Sequence, residues 1–177
     1  MVDVADTVPP ALDQTGNFVI WWVPASPGIT DTSAPKAATE LGAATTFRIT
    51  HSFTPSGFAF DGDTAVNPDE RLALAQTLES LGTTSRTLGF IEYVDSTTAG
   101  SAAVVLKPAG AATSISGFFV IRRNLSNTTL AAATQKVTTI PVTLGPQIQV
   151  PVDGSGKFRL KQRVSITGVP VDGTTAA

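Results

Sequence analysis

Asn67-Pro-Asp-Glu-Arg-Leu-Ala-Leu-Ala-Gln-Thr-Leu-Glu-Ser-Leu-Gly82 is the only long helical pattern in a chain otherwise written in strand code. Asn67 suits a helix cap, and Pro68 suits the first helical position because its missing N–H would be unpaired there anyway. Asp69 and Glu70 place negative charge at the positive end of the helix dipole. Leu74, Leu78 and Leu81 recur at helical spacing, and Gly82 tolerates a left-handed stop. The spacing predicts one helix over about residues 68–81, with a leucine stripe too narrow to stand alone, so it has to lie on a sheet.

Outward from this stretch, periodicity switches to two. Asn17-Phe-Val-Ile-Trp-Trp-Val23, ended by Pro24, reads as a strand buried on both faces. Trp21 and Trp22 then point to opposite sides: either one of them anchors a contact between subunits, or one sits in the core and the other under a loop. Residues 24–45 are rich in Pro, Ser, Ala, Thr and Gly, too long for an ordinary connection, with a short helical turn expected over Pro35–Leu41. Thr45–Phe53 alternates as a half-buried strand that places Phe47, Ile49, His51 and Phe53 together. Thr87–Val94 and Ala102–Leu106 suggest a hairpin. Ser116–Arg123 is a further strand, and Lys136–Leu144 is demoted to an edge or a bulge by Pro141. Gln147–Pro151 and a last strand follow, the latter with Phe158, Leu160, Val164 and Ile166 on one face and Arg159, Lys161 and Arg163 on the other. Residues 1–16 read as a loose arm. The expectation is a mainly β fold: one domain over residues 1–177, a sandwich or barrel with a single covering helix.

Composition narrows the function. The 177 residues are 42% hydrophobic and 15% charged, with no cysteine and one histidine. No apolar run approaches the ~20 residues of a membrane-spanning helix, no secretory signal is visible, and disulfide or thiolate chemistry is ruled out. The net charge of −2 hides an asymmetry. Residues 1–95 hold 4 Lys/Arg against 12 Asp/Glu, whereas residues 96–177 hold 8 against 2. Such lopsidedness suits a basic contact with nucleic acid or membrane, or association of one copy's acidic surface with another's basic surface, unless the halves interleave in space and cancel.

Catalytic patterns are missing. His51 stands among apolar neighbours rather than beside a nucleophile or carboxylate. Asp61, Asp63 and Asp69 have loop spacing but lack the remaining ligands of a calcium site. No glycine order cradles a phosphate. The Arg159–Lys161–Arg163 row is the best nucleic-acid candidate, yet no aromatic interleaves with it along the strand, so a solvated or inter-subunit face is the better reading. No catalytic residue, cofactor or metal is expected.

Several phrases together resemble the major tail tube proteins of long-tailed, non-contractile phages, especially those infecting actinobacteria. They are Ala34-Pro-Lys-Ala-Ala-Thr-Glu-Leu41 leading into Phe47-Arg-Ile-Thr-His51, Arg71-Leu-Ala-Leu74, Leu88-Gly-Phe-Ile-Glu-Tyr-Val94, and Leu106-Lys-Pro-Ala-Gly110 with Gly117-Phe-Phe-Val-Ile-Arg-Arg123. The resemblance implies a β-sandwich whose sheets join those of neighbours into stacked, usually hexameric rings around a bore for double-stranded DNA. It also implies a virion location, assembly in the host cytoplasm, and tape measure, tail terminator and tail tip proteins as partners. On this reading the contacts between copies fall to Trp21 and Trp22, to Ile29, Pro35, Glu40 and Leu41 of the long loop, to Arg122 and Arg123, and to Arg159, Lys161 and Arg163. The basic row is expected to face neighbours or the exterior, because a bore that grips phosphates would impede passage. The alternatives are a virion decoration or receptor-contacting β-sandwich module, or another tail or head-tail completion protein.

Overall fold

The computed structural model describes residues 12–69, 78–152 and 156–177. Its strands are β1 (Phe18–Pro24), β2 (Phe47–Arg48), β3 (Phe53–Phe58), β4 (Asp61–Asp69), β5 (Leu78–Thr87), β6 (Phe90–Val94), β7 (Ile115–Arg123), β8 (Lys136–Leu144), β9 (Ile148–Gln149), β10 (Arg159–Ile166) and β11 (Val171–Thr174). One helical turn, α1 (Ala102–Val105), lies between β6 and β7. The main sheet is antiparallel and runs β2-β1-β7-β8-β10-β6-β3, with β11 added to β8 and β9 to β10. Strands β4 and β5 form a separate two-stranded ribbon.

The mainly β expectation holds, but its covering helix does not. Asn67–Asp69 finish β4 and Leu78–Gly82 begin β5, paired so that Val66 faces Leu81 and Pro68 faces Glu79; residues 70–77 lie outside the described residues. Cap, proline and leucine spacing are local signals worth ~1 kcal/mol or less apiece. The ladder running back to Asp61↔Thr87 outweighs them, and a two-stranded ribbon leaves each strand an open edge that accepts Pro68.

The sheet is curled, and its concave side holds the main core. Ile20, Trp22, Phe119, Ile121, Ile140, Val142, Ile91 and Tyr93 meet there, with α1 closing one end through Ala102, Ala103 and Leu106. Trp22 tilts against Phe119 at 5.1 Å and Phe58 meets the same ring edge-on at 5.3 Å. A second, smaller core on the convex side gathers Val19, Trp21, Val23, Leu41, Val120 and Val137. Strands β1 and β7 are therefore buried on both faces, as their unbroken apolar runs foretell.

Three further readings are corrected. Ala102–Leu106 is a helical turn rather than the second strand of a hairpin; a short apolar run bounded by turns carries no period that separates the two. Thr45–Phe53 is interrupted by a tight turn at Thr50–Ser52, which leaves His51 exposed rather than beside Phe47, Ile49 and Phe53. Lys136–Leu144 lies inside the sheet, not at its edge. Pro141 is tolerated because β10 pairs only Val142–Leu144 and β11 only Lys136–Thr139, so the proline sits at the seam between them. Its carbonyl accepts from the Thr167 amide there, and its missing N–H faces the same gap. Within β3 the register with β6 shifts between Phe53 and Phe58, a bulge over Thr54–Gly57. A side chain on Gly57 would meet the Glu92 carbonyl oxygen at 2.0 Å, so only glycine fits.

Candidate assembly surfaces

The convex core is built around Arg122. Alternation along β7 puts this residue on the Phe118–Val120 side, where it is 1% exposed. Its guanidinium lies 5.1 Å over the Trp21 ring. One nitrogen donates to Ser126 O and Thr129 O, both at 2.9 Å; another donates to Gln135 Oε1 at 2.7 Å and Leu130 O at 3.3 Å. Burial, and then the charge of Arg48, push its pKa down. Arg48 reaches the same ring from its exposed position on β2 and donates to Asn127 O. The two cations and the indole tie the 125–135 loop to β1. Trp21 and Trp22 are 2% and 1% exposed, one in each core, so neither presents its ring to solvent.

The long 25–46 segment lies over this convex core. Leu41 is buried in it and Ile29 packs against it. Pro35 is buried and its carbonyl accepts from the Ala176 amide. The expected helical turn forms over Ala37–Leu41. Glu40 closes the segment by accepting the Thr30 amide at 2.9 Å and the Lys36 amide at 2.8 Å. Burial pushes its pKa up, but these donors and the Lys36 charge outweigh it and hold the carboxyl below its ordinary value.

Among the described residues no loop covers the other half of the convex side. On β10, Arg159, Lys161 and Arg163 alternate with buried Leu160, Gln162 and Val164, as the period of two predicts. Register places them beside Val94, Glu92 and Phe90 of β6. Arg159 pairs with Glu92 at 2.6 Å, and Arg163 lies 4.9 Å over the Phe90 ring. An aromatic therefore does flank the basic row; it comes from the neighbouring strand, where reading along one strand does not find it. Arg123 at the end of β7 is exposed, 6.0 Å over Phe18.

The ribbon carries Asp61, Asp63 and Glu79 exposed, with Val66 and Leu81 48% and 81% exposed. Its base is tied to the body where Arg86 meets Asp172 of β11 at 2.7 Å, an acid that also accepts from Thr138.

Beneath β10 lies a buried polar network that sequence reading missed. Tyr93 Oη donates to Gln162 Oε1 at 2.6 Å and accepts from Gln147 at 2.9 Å. The two glutamines donate onward to the carbonyls of Ala103, Leu106 and Gly145, fixing α1 against the sheet. Burial raises the Tyr93 pKa well above its ordinary value, so the phenol stays protonated.

His51 lines a cleft with Phe18, Ile20, Phe53 and Phe58, and among the described residues no carboxylate lines it. Among the described residues no His, Asp and Glu cluster is arranged to hold a metal, and no helix is long and apolar enough to cross a membrane. The geometry offers surfaces and edges.

A family model described as phage tail tube protein matches residues 5–177. No curated protein sequence matches the chain. Among solved structures, a chain of the cryo-EM structure of the anti-feeding prophage baseplate, 6-fold symmetrised, is similar at 11% identity, covering 92% of this chain and 95% of that chain with a TM-score of 0.50. That likeness is one of fold.

Proposed function

The chain belongs to the phage tail tube protein family, a structural and not an enzymatic family, and from that membership we propose that it is the major tail tube subunit of a long-tailed, non-contractile phage. Copies close into hexameric rings, and rings stack into a hollow tube that carries double-stranded DNA into the host. Within the tube the chain meets the tape measure protein and the DNA without reading base sequence; at its ends it meets the tail terminator and tail tip proteins. Assembly takes place in the host cytoplasm without membrane insertion, and the actinobacterial host rests on the resemblance of the quoted phrases alone. The likeness in fold to a chain of a six-fold symmetrised assembly supports six copies per ring.

The observation that carries the reading is a chain incomplete by itself. Among the described residues the β4–β5 ribbon shares no ladder with the main sheet, and an isolated two-stranded ribbon is marginal in water. The main sheet ends in a two-residue strand on one side and a bulged one on the other, margins at which a neighbour can add backbone hydrogen bonds. Trp21, Trp22, Pro35, Glu40, Leu41 and Arg122 act on such contacts by bracing the convex surface from beneath, whereas Arg123, Lys161 and Arg163 present charge to a neighbour or the exterior. Negative-stain microscopy of the purified protein tests the reading. Rings or tubes of uniform width are expected, and dispersed monomers at high concentration would refute it.

A further inference from the structure

The ribbon and the bare half of the convex side are each unsatisfied in one copy, and they complement one another. Residues 61–87 hold five acidic and two basic residues. One of those cations, Arg86, is engaged by Asp172. Glu79 remains exposed, and beside it on the same face of the ribbon lies the directly opposed Val66–Leu81 pair, whereas Asp61 and Asp63 alternate to the other face. Apolar side chains so placed gain by being covered, and the chain's own sheet does not cover them. On the body, Phe90 and Ile148 are 50% and 47% exposed and flank Lys161 and Arg163, while the nearest acid, Glu92, is held by Arg159. Resting on the tube-subunit reading, we propose that the outer face of β6 and β10, centred on Phe90, Lys161 and Arg163, is the seat of the β4–β5 ribbon of a second copy.

Three properties fit. The ribbon, at about 3.3 Å per residue, reaches roughly 30 Å, close to the span of β10. Glu79 meets Lys161 and Arg163 while Val66 and Leu81 meet Phe90 and Ile148, so charge sets register and apolar burial holds it. Ribbon and seat are different surfaces of one chain, which makes the contact heterologous: each copy offers a ribbon to one neighbour and a seat to another, and the contact propagates into a filament. Arg163 stacked on Phe90 also has the make-up of a platform for nucleic acid, but a nucleic acid on the seat would leave the apolar pair of the ribbon bare.

A charge-exchange experiment tests the seat. The ribbon variant is Glu79→Lys, and the seat variant is Lys161→Glu with Arg163→Glu; assembly is read by sedimentation and negative stain at low ionic strength. Each variant alone is expected to lose at least about tenfold in assembled fraction. Their equimolar mixture should recover it, because the reversed ribbon of one fits the reversed seat of the other, and the chain carrying all three changes should recover it too. If charge reversal lowers the melting temperature, Lys161→Gln with Arg163→Gln carries the test, and its assembly must lose most of the salt sensitivity of the wild type. Wild-type tubes with unaffected variants, or a mixture that stays unassembled, overturn the seat alone. So does a seat variant that assembles normally but no longer binds a fluorescent DNA oligonucleotide, which assigns the face to nucleic acid. Wild-type protein that forms neither rings nor tubes overturns the tube reading and the seat with it.

Discussion

Replacing Arg122 by methionine separates a brace from an interface residue. The side chain is 1% exposed and donates four hydrogen bonds to three loop carbonyls and the Gln135 side chain. Charged hydrogen bonds of about 1.5–3 kcal/mol each would suggest a very large loss. Two effects shrink it. Removing a buried cation recovers a desolvation penalty of several kcal/mol, and the freed carbonyls belong to a loop whose Leu130 is 75% exposed, so water can reach them. Against that, the Trp21 stack, worth about 1–2 kcal/mol when desolvated, is lost. The net expectation is a destabilisation of about 2–4 kcal/mol, hence a fall of roughly 4–16 °C in melting temperature for a chain of this size. Arg122→Lys should recover at most about half, because one ammonium cannot serve both limbs of the fork. Thermal and urea melts under conditions where the protein sediments as a monomer provide the assay. A methionine variant within ~0.5 kcal/mol of wild type that nevertheless fails to assemble would refute the brace and return Arg122 to the interface.

Glu40→Gln should destabilise by about 1–2 kcal/mol at neutral pH, since an amide cannot accept equally well from both the Thr30 and Lys36 amides. Because the folded pKa lies below the ordinary 4.5, the stability this carboxylate adds is present above that value and is lost as pH falls through the folded pKa. The variant's acid melting limb should therefore be flatter, and a parallel shift at all pH would contradict the pairing. Tyr93→Phe removes the donor to Gln162 and the acceptor of Gln147 inside the core, and denaturant melts should show a loss of about 1–3 kcal/mol with an unchanged slope. Gly117→Ala would place a methyl 2.7 Å from the Trp22 ring and 2.5 Å from the Val23 carbonyl oxygen; a cost of about 1–3 kcal/mol in urea is expected, and a neutral result would mean that β1 and β7 are free to separate.

What the sequence made legible divides along the reach of each signal. Runs whose period is a property of one strand came through: β1 as buried on both faces, β7 as a strand, and β10 as basic outside and apolar inside. Features set by a partner distant in sequence did not. The leucines of 74–81 match helical spacing, but β5 is fixed by its ladder to Asp61–Asp69. Pro141 reads as an edge marker until β10 and β11 are seen to divide one side of β8 between them. Phe90 flanks Arg163 only across the β6–β10 register. Two misses were nevertheless within reach. With Val120 facing the convex core, a period of two sends Arg122 inward and Arg123 to the end of the strand, so adjacent arginines need not share a surface role. The same count places Gln162 between Leu160 and Val164 on the buried face, where an amide has to find partners, and Tyr93 lies directly across from Leu160 on β6. A polar residue on the inward beat of a strand therefore says more about this fold than the charge run beside it. It has to be tied to whatever it meets, and here it ties α1 and the 125–135 loop to the sheet that the assembly surfaces stand on.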